Sequence, residues 1–125
     1  MKEPTLGNPQ NTIAVLQKYN FVFQKKFGQN FLIDTHVLDK IIGSAEITKD
    51  DFVLEIGPGI GTMTQYLACA AGKVAAVEID KALIPILEDT LDGYDNVQVI
   101  NEDVLKVDIA ELAKQENEGM LVSEL

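Results

Sequence analysis

Three glycines at alternate positions follow a short apolar run and give the strongest chemical signal in the sequence. They lie in the string Glu55-Ile56-Gly57-Pro58-Gly59-Ile60-Gly61-Thr62. Glycine lets the backbone turn sharply and lets a ligand approach it closely, and a helix that follows offers unpaired N–H groups. The string therefore predicts a site for a nucleotide-like ligand, and a tight turn without a ligand is the less favoured alternative.

The dinucleotide-binding fingerprint differs from this string by one position. It requires G-x-G-x-x-G, whose third glycine would fall where the chain has Thr62. The pattern G-x-G-x-G after an acidic strand residue is instead typical of S-adenosylmethionine-dependent methyltransferases. A methyl-donor cofactor is therefore favoured over NAD.

Two carboxylates follow the next two apolar runs. Glu78 lies 21 residues after Gly57 and could accept both hydroxyls of a ribose, whereas its neighbour Asp80 is better explained as a helix N-cap. Asp103, in the pair Glu102-Asp103, could accept a hydrogen bond from an adenine amino group. Each acid could also be a solvated residue at the end of a strand. If Asp103 is considered without the other motifs, that alternative is preferred.

The elements that position these residues alternate along the chain. Apolar runs predict strands at 52–56, 74–79 and 97–100, and helical spacing predicts helices at 62–71, 83–91 and 108–114. Such β-α-β-α-β alternation indicates an α/β fold with a parallel sheet and right-handed crossovers. Two further helices are predicted before the sheet, one capped by Asn8 and one beginning at Asp34 or Thr35.

Composition limits the remaining possibilities. The 125 residues, 46% hydrophobic and 24% charged, suit one globular domain, and no apolar run approaches the ~20 residues of a membrane helix. One cysteine, Cys69, and one histidine, His36, cannot build a usual zinc site, so no metal is expected. A single cysteine suits a reducing cytosol, so a cytoplasmic location is expected.

The net charge of −10 argues against a protein that binds nucleic acid over its whole surface. The charge is uneven, however. Residues 1–30 hold four lysines and one glutamate, a net +3, and the rest of the chain carries −13. A polyanion would therefore meet the N-terminal segment, where Lys25 and Lys26 stand in a loop predicted to act as a recognition or lid segment.

In combination, these motifs resemble those of the bacterial small-subunit ribosomal RNA adenine N6,N6-dimethyltransferases. The resemblance runs from about Asn8 to about Ala113 and rests on four strings. They are Phe27-Gly28-Gln29-Asn30-Phe31-Leu32, Glu55-Ile56-Gly57-Pro58-Gly59-Ile60-Gly61, Glu78-Ile79-Asp80 and Glu102-Asp103. Antibiotic-resistance rRNA adenine methylases share the Gln-Asn-Phe segment and are the nearest alternative.

The resemblance implies a Rossmann-like methyltransferase fold and a role for each motif. Asn30 and the Leu32 backbone would close over S-adenosylmethionine, and the turn at Gly57, Gly59 and Gly61 would line its methionine and ribose. Glu78 would hold the ribose hydroxyls and Asp103 the adenine amine. Lys25 and Lys26 would contact RNA phosphates in the small ribosomal subunit. Residues 1–33 would form an N-terminal helix and contact loop, and residues 34–125 a partial methyltransferase domain.

One family motif has no counterpart in the sequence. In the family an Asn-Leu-Pro-Tyr string after the fourth strand binds the target base, and this chain has no such string. No catalytic residue is therefore assigned, and the chain is expected to be an inactive N-terminal portion lacking the later strands and the C-terminal helical domain. In the family's strand order, 3-2-1-4-5-7-6, loss of the fourth strand would leave strand 52–56 as an exposed apolar edge. Self-association through that edge is expected, with 120–122 as a possible surrogate strand.

Three other functions stay open at this stage. The chain could belong to a resistance-type methylase or to a methyltransferase for another substrate. It could be a non-catalytic module that binds RNA or a ribosomal particle through its basic N-terminal segment. An NAD enzyme is disfavoured by Thr62.

Overall fold

The computed structural model describes residues 2–21, 34–116 and 119–124. Within these ranges the chain forms five α-helices, four β-strands and two short 3-10 helices, at Lys81–Leu83 and Val104–Lys106. In chain order the main elements are α1 (Pro9–Lys18), α2 (Thr35–Ala45), β1 (Asp51–Ile56), α3 (Thr62–Ala70), β2 (Lys73–Glu78), α4 (Ile84–Thr90), β3 (Val97–Asn101), α5 (Ile109–Glu116) and β4 (Gly119–Glu124).

The four strands form one parallel sheet in the order β3-β2-β1-β4. The alternation of strands and helices predicted from the sequence is confirmed, and each boundary lies within two residues of its expected position. Because the strands are parallel, the carboxyl ends of β1, β2 and β3 meet at one edge of the sheet. The glycine turn and both acidic motifs follow those three ends.

The expectation that the first strand is an exposed edge is wrong, whereas the surrogate strand suggested at 120–122 is present. Residues 119–124 form β4, which pairs with β1 from Asp51 opposite Gly119 to Ile56 opposite Glu124. The apolar segment after α5 returns beside β1 and pairs with backbone groups that would otherwise remain free. β1 therefore lies inside the sheet, with its own chain on both sides, and the strand order matches the first four positions of the family order.

Apolar side chains cover both faces of the sheet. Val53 packs with Leu67 and Leu87 of the helices on one face, and Phe52 and Leu54 pack toward α5 on the other. Successive residues of a strand point to opposite faces, which explains the nearly continuous apolar run of β1. The glycine turn therefore follows a strand, β1, that is buried on both faces of the sheet.

Side-chain caps fix the starts of α1 and α2 where the sequence predicts them. The side-chain oxygens of Asn8 and Asp34 accept hydrogen bonds from the N–H groups of Gln10 and His36, at 2.9 and 2.8 Å. The Asp80 carboxylate caps the first 3-10 helix. The second 3-10 helix was not predicted, because three residues are too few to show a period. No helix within the described ranges has the length and apolar character needed to cross a bilayer.

Candidate functional site

The glycine turn joins β1 to α3 through three residues with positive φ. The angles are 69° at Gly57, 63° at Gly59 and 96° at Gly61, all in the region that favours glycine. The Gly57 N–H donates to the Val77 carbonyl at 2.9 Å, and the Gly61 N–H donates to the Pro58 carbonyl at 3.0 Å. The alternating glycines are therefore required by the path of the backbone.

The turn is closed on its inner side and open on its outer side. A Cβ added at Gly61 would lie 2.9 Å from the Thr90 hydroxyl oxygen, so α4 approaches the turn too closely for a side chain there. Gly57 is exposed and Gly59 is half-buried. A ligand could thus approach the backbone at Gly57 and Gly59.

Glu78 faces this turn from the end of β2. Its Oε1 accepts a hydrogen bond from the Gly59 N–H at 3.1 Å, and its Oε2 accepts one from the Asp80 N–H at 3.0 Å. Burial raises the pKa of the Glu78 carboxyl, while these N–H donors oppose that shift by favouring the charged form. The structure therefore brings together the two residues that the sequence predicted to share one ligand.

The end of β3 lies directly beside the end of β2. The Asn101 side chain donates to the Glu78 carbonyl at 2.8 Å, and the Glu102 N–H donates to the same oxygen at 3.2 Å. Asp103 follows at this edge, and its Oδ1 accepts the Leu105 N–H at 2.9 Å, which caps the second 3-10 helix. Asp103 is near the crevice, and its role toward an adenine stays a prediction.

Glu55 is a buried acid beneath the turn that the sequence used only as part of the glycine motif. Its side chain is fully buried, and its Oε1 accepts a hydrogen bond from the Thr64 hydroxyl. Burial raises the pKa of this carboxyl to about 7, the Thr64 hydrogen bond opposes the shift, and the nearby charge of Glu78 adds to it. An acid inside an otherwise apolar strand was the signal that could have identified this residue.

The first turn of α3 adds unpaired donors to the site. Gly61 occupies the N-cap and has no side chain to accept from the N–H groups of that turn. The Thr62 hydroxyl oxygen is buried and has no hydrogen-bond partner in the described part of the chain. The donor set therefore fits a polar ligand lying over the turn.

The other residues named in the sequence analysis lie away from the glycine turn or outside the described ranges. His36 is exposed. Cys69 is half-buried, and its Sγ lies 3.5 Å from the Lys2 carbonyl oxygen. No three His, Cys, Asp or Glu side chains of the described residues come together as a metal site would need. The loop predictions at Lys25, Lys26, Asn30 and Leu32 lie outside the described residues.

Sequence comparison identifies relatives that match most of the chain. A family model described as ribosomal RNA adenine dimethylase matches residues 20–125. A protein of Lachnoclostridium phytofermentans named ribosomal RNA small subunit methyltransferase A is 73% identical over 115 residues, covering 91% of this chain and 40% of the relative. The protein of the same name from Clostridioides difficile is 54% identical, covering 91% of this chain and 39% of the relative. The chain thus spans about 40% of the length of these relatives.

Solved structures with the same arrangement include several methyltransferases. The crystal structure of the 23S rRNA methyltransferase ErmE has a TM-score of 0.58 and 41% identity, covering 62% of this chain and 32% of that one. A dimethyladenosine transferase from Plasmodium falciparum has a TM-score of 0.54 and 39% identity, covering 58% of this chain and 27% of that one.

A more distant structure supports the fold alone. An RNA methyltransferase from Salinibacter ruber in complex with S-adenosylhomocysteine has a TM-score of 0.62 at 21% identity, covering 74% of this chain and 58% of that one. The parallel sheet and its helices are therefore part of a Rossmann-like methyltransferase fold. Because the family model matches residues 20–125, the chain belongs to the ribosomal RNA adenine dimethylase family.

Proposed function

We propose that this chain is the S-adenosylmethionine-binding part of an enzyme that dimethylates the N6 atoms of adjacent adenosines in small-subunit ribosomal RNA. The observation that supports this most directly is the hydrogen bond from the Gly59 N–H to the Glu78 carboxylate. It holds an acid of one strand end against the glycine turn of the neighbouring strand. Family membership adds that the turn belongs to a methyltransferase.

The chemistry of the site suits an adenosyl ligand. Each oxygen of Glu78 accepts one backbone N–H, and each has further lone-pair capacity for a ribose hydroxyl. Asp103 would accept the adenine amine at the neighbouring strand end, and the turn at Gly57 would lie against the methionine portion. By resemblance, Asn30 and the Leu32 backbone would close over the cofactor.

When bound, S-adenosylmethionine supplies a methyl group that is already activated for transfer. The residues of this chain would bind and orient the cofactor and exclude water from one side of it. Because the sequence has no Asn-Leu-Pro-Tyr string, we assign no catalytic residue and propose cofactor binding without methyl transfer for the chain by itself.

The proposed RNA is that of the small subunit. The 73% identical relative is named for the small subunit, whereas the identity to the 23S rRNA methyltransferase ErmE is 41%. Lys25 and Lys26 would contact phosphates and set the position of the RNA without reading its sequence. Self-association through β1 is proposed only for a form of the chain in which β4 has left that strand.

Isothermal titration calorimetry with S-adenosylmethionine tests the cofactor proposal. We expect saturable binding by the unaltered chain and at least about tenfold weaker binding by Glu78→Ala, because the ribose loses a charged acceptor. Glu88→Ala is the matched control, since Glu88 is an exposed glutamate on the outer side of α4. Circular dichroism of each variant verifies that the fold is retained.

Each outcome decides between the candidate functions. A folded chain that fails to bind S-adenosylmethionine, or a Glu78→Ala variant that binds as well as the unaltered chain, overturns the proposal. RNA binding without any cofactor binding would favour the non-catalytic module. An increase in NADH fluorescence on mixing would favour a dinucleotide site.

A further inference from the structure

A series of hydrogen bonds connects the N-terminal segment, residues 2–7, with the glycine turn. The Thr90 hydroxyl donates to the Ile60 carbonyl at 2.7 Å, and the Gln65 Nε2 donates to the Thr90 carbonyl at 2.8 Å. The Gln65 Oε1 accepts from the N–H groups of Thr5 and Leu6, at 2.9 and 3.0 Å. Two side chains thus link a segment near the start of the chain to the residue between Gly59 and Gly61.

These groups have almost no access to water. Gln65 is 1% exposed, Thr90 is 6% exposed and Ile60 is 1% exposed. A buried carbonyl that loses its donor under these conditions is left without a partner, which is costly. The Thr90 hydroxyl therefore favours one position of the Ile60 carbonyl over others.

Contact geometry places Thr90 directly on the turn. A Cβ added at Gly61 would be 2.9 Å from the Thr90 hydroxyl oxygen and 3.3 Å from a methyl group of Leu87. Thr90 is the last residue of α4 and is buried, whereas Gly57 at the start of the turn is exposed. It is placed to hold the turn without itself touching a ligand above it.

We propose that Thr90 is a positioning residue for the glycine turn. We further propose that Gln65 makes the position of that turn depend on the hydrogen bonds that hold residues 2–7 against α3. Binding of a cofactor over Gly57 and Gly59 then depends on a segment that precedes the residues matched by the family model. The inference rests on the proposed function for its effect on the cofactor. The effect on the turn itself requires no ligand.

The experiment compares variants of Thr90 and Asn96 in the full chain. Thr90→Val removes the hydroxyl that bonds Ile60, and Thr90→Ser restores it. Asn96→Ala is the matched control, because it also removes side-chain bonds to backbone carbonyls. The Asn96 Nδ2 donates to the Ala68 and Ala71 carbonyls, at 2.8 and 3.2 Å, at the end of α3 away from the turn. If Thr90→Val fails to fold, Thr90→Ala takes its place.

Two readouts separate positioning from general stability. One is the NMR-detected hydrogen exchange of the Gly61 amide, which donates within the turn to Pro58, relative to that of the Leu54 amide in the centre of β1. The other is the dissociation constant for S-adenosylhomocysteine. We expect Thr90→Val to increase the relative exchange rate and the dissociation constant about tenfold each, and Asn96→Ala to leave both within about twofold.

A double-mutant cycle tests the role of Gln65. Gln65→Leu should speed exchange at both Leu6 and Gly61. Combined with Thr90→Val it should add less than the sum of the two effects at Gly61, because both changes interrupt the same path. Additive effects at Gly61 would overturn the coupling to residues 2–7.

The outcomes for the turn and for the cofactor are distinguishable. If Thr90→Val leaves both Gly61 exchange and the dissociation constant unchanged, the positioning role is overturned while the proposed function stands. If the unaltered chain binds no S-adenosylhomocysteine but Gly61 exchange still responds to Thr90→Val and not to Asn96→Ala, the positioning role stands and the proposed function is overturned.

Discussion

The Glu78 carboxylate at the end of β2 accepts the Gly59 N–H through one oxygen and the Asp80 N–H through the other, at 3.1 and 3.0 Å. The two donors belong to different connections of the sheet, since Gly59 precedes α3 and Asp80 precedes α4. A side chain with two acceptor oxygens is needed to satisfy both. Glu78 therefore organises the site as well as offering oxygens to a ligand.

Glu78→Gln should lower the free energy of unfolding even though the change is nearly isosteric. An amide has one oxygen, so its NH2 group would face one of the two backbone donors and leave that N–H unsatisfied. We expect a loss of about 1–3 kcal/mol in urea unfolding. Glu88→Gln, at an exposed glutamate, should change stability by less than about 0.5 kcal/mol. Equal stability of the two variants would contradict this account of Glu78.

Gly61→Ala should destabilise the chain for two independent reasons. Its φ of 96° is strained for alanine, and the new Cβ would lie 2.9 Å from the Thr90 hydroxyl oxygen. We expect the free energy of unfolding to fall by about 1–3 kcal/mol, measured by thermal or urea unfolding.

Gly43→Ala is the matched control for Gly61→Ala. Gly43 lies within α2, and a Cβ there would meet nothing within 4 Å. Alanine is the better helix former, so this variant should gain about 0.5–1 kcal/mol. A stabilising Gly61→Ala, or a strongly destabilising Gly43→Ala, would contradict the positive φ and close packing described for Gly61.

The sequence predicts most of the site at the carboxyl ends of β1, β2 and β3, because the sequence signals for it are local. Alternating glycines can only be explained by a turn, and the apolar runs that precede Glu78 and Glu102 are short enough to be strands. Parallel strands then bring their carboxyl ends together, so the proximity of Glu78 to the turn follows from topology. The caps at Asn8 and Asp34 are likewise encoded within three residues.

What the sequence does not predict depends on partners distant in the chain. The apolar run 120–122 suggests a strand, but no local pattern specifies its pairing with β1, 68 residues earlier by the register of Asp51 with Gly119. The Gln65 and Thr90 side chains have ordinary helix positions, and their importance comes from buried groups they meet in three dimensions. The environment of Glu55 is likewise set by packing.

Pairing of β4 with β1 should keep the chain from associating through the apolar edge of β1. In a parallel strand, the N–H groups of consecutive residues point to opposite sides. One of the two N–H groups of Leu121 and Val122 must therefore point toward β1. Replacing both residues with proline removes that donor. We expect the double proline variant to self-associate with rising concentration in sedimentation velocity.

The matched control for this variant carries alanine at Leu121 and Val122, which shortens the same side chains but keeps both N–H groups. It should sediment as the unaltered chain does. A double proline variant that remains monomeric over the same concentrations, with unchanged circular dichroism, would contradict the protective role of β4.

Glu55 should make the stability of the chain fall as pH rises toward neutrality. Burial raises the pKa of its carboxyl from 4.5 to about 7, so between these values the folded state holds a proton that the unfolded state has released. The stabilisation is complete below pH 4.5 and is lost as pH passes about 7. Lowered carboxyl pKa values, such as that of Asp89 beside Lys18, give the opposite slope at lower pH.

Comparison with Glu55→Gln isolates this contribution, because glutamine keeps an acceptor for the Thr64 hydroxyl and cannot titrate. From about pH 4.5 to about pH 8, we expect the free energy of unfolding to fall by about 2–3 kcal/mol more in the unaltered chain than in the variant. Urea unfolding at four pH values measures both profiles, with Glu88→Gln, a change at an exposed glutamate, measured alongside them. If the free energy of unfolding changes with pH in the same way for Glu55→Gln and the unaltered chain, the Glu55 carboxyl titrates alike in the folded and unfolded states. The buried acid beneath the glycine turn would then have to be charged at neutral pH.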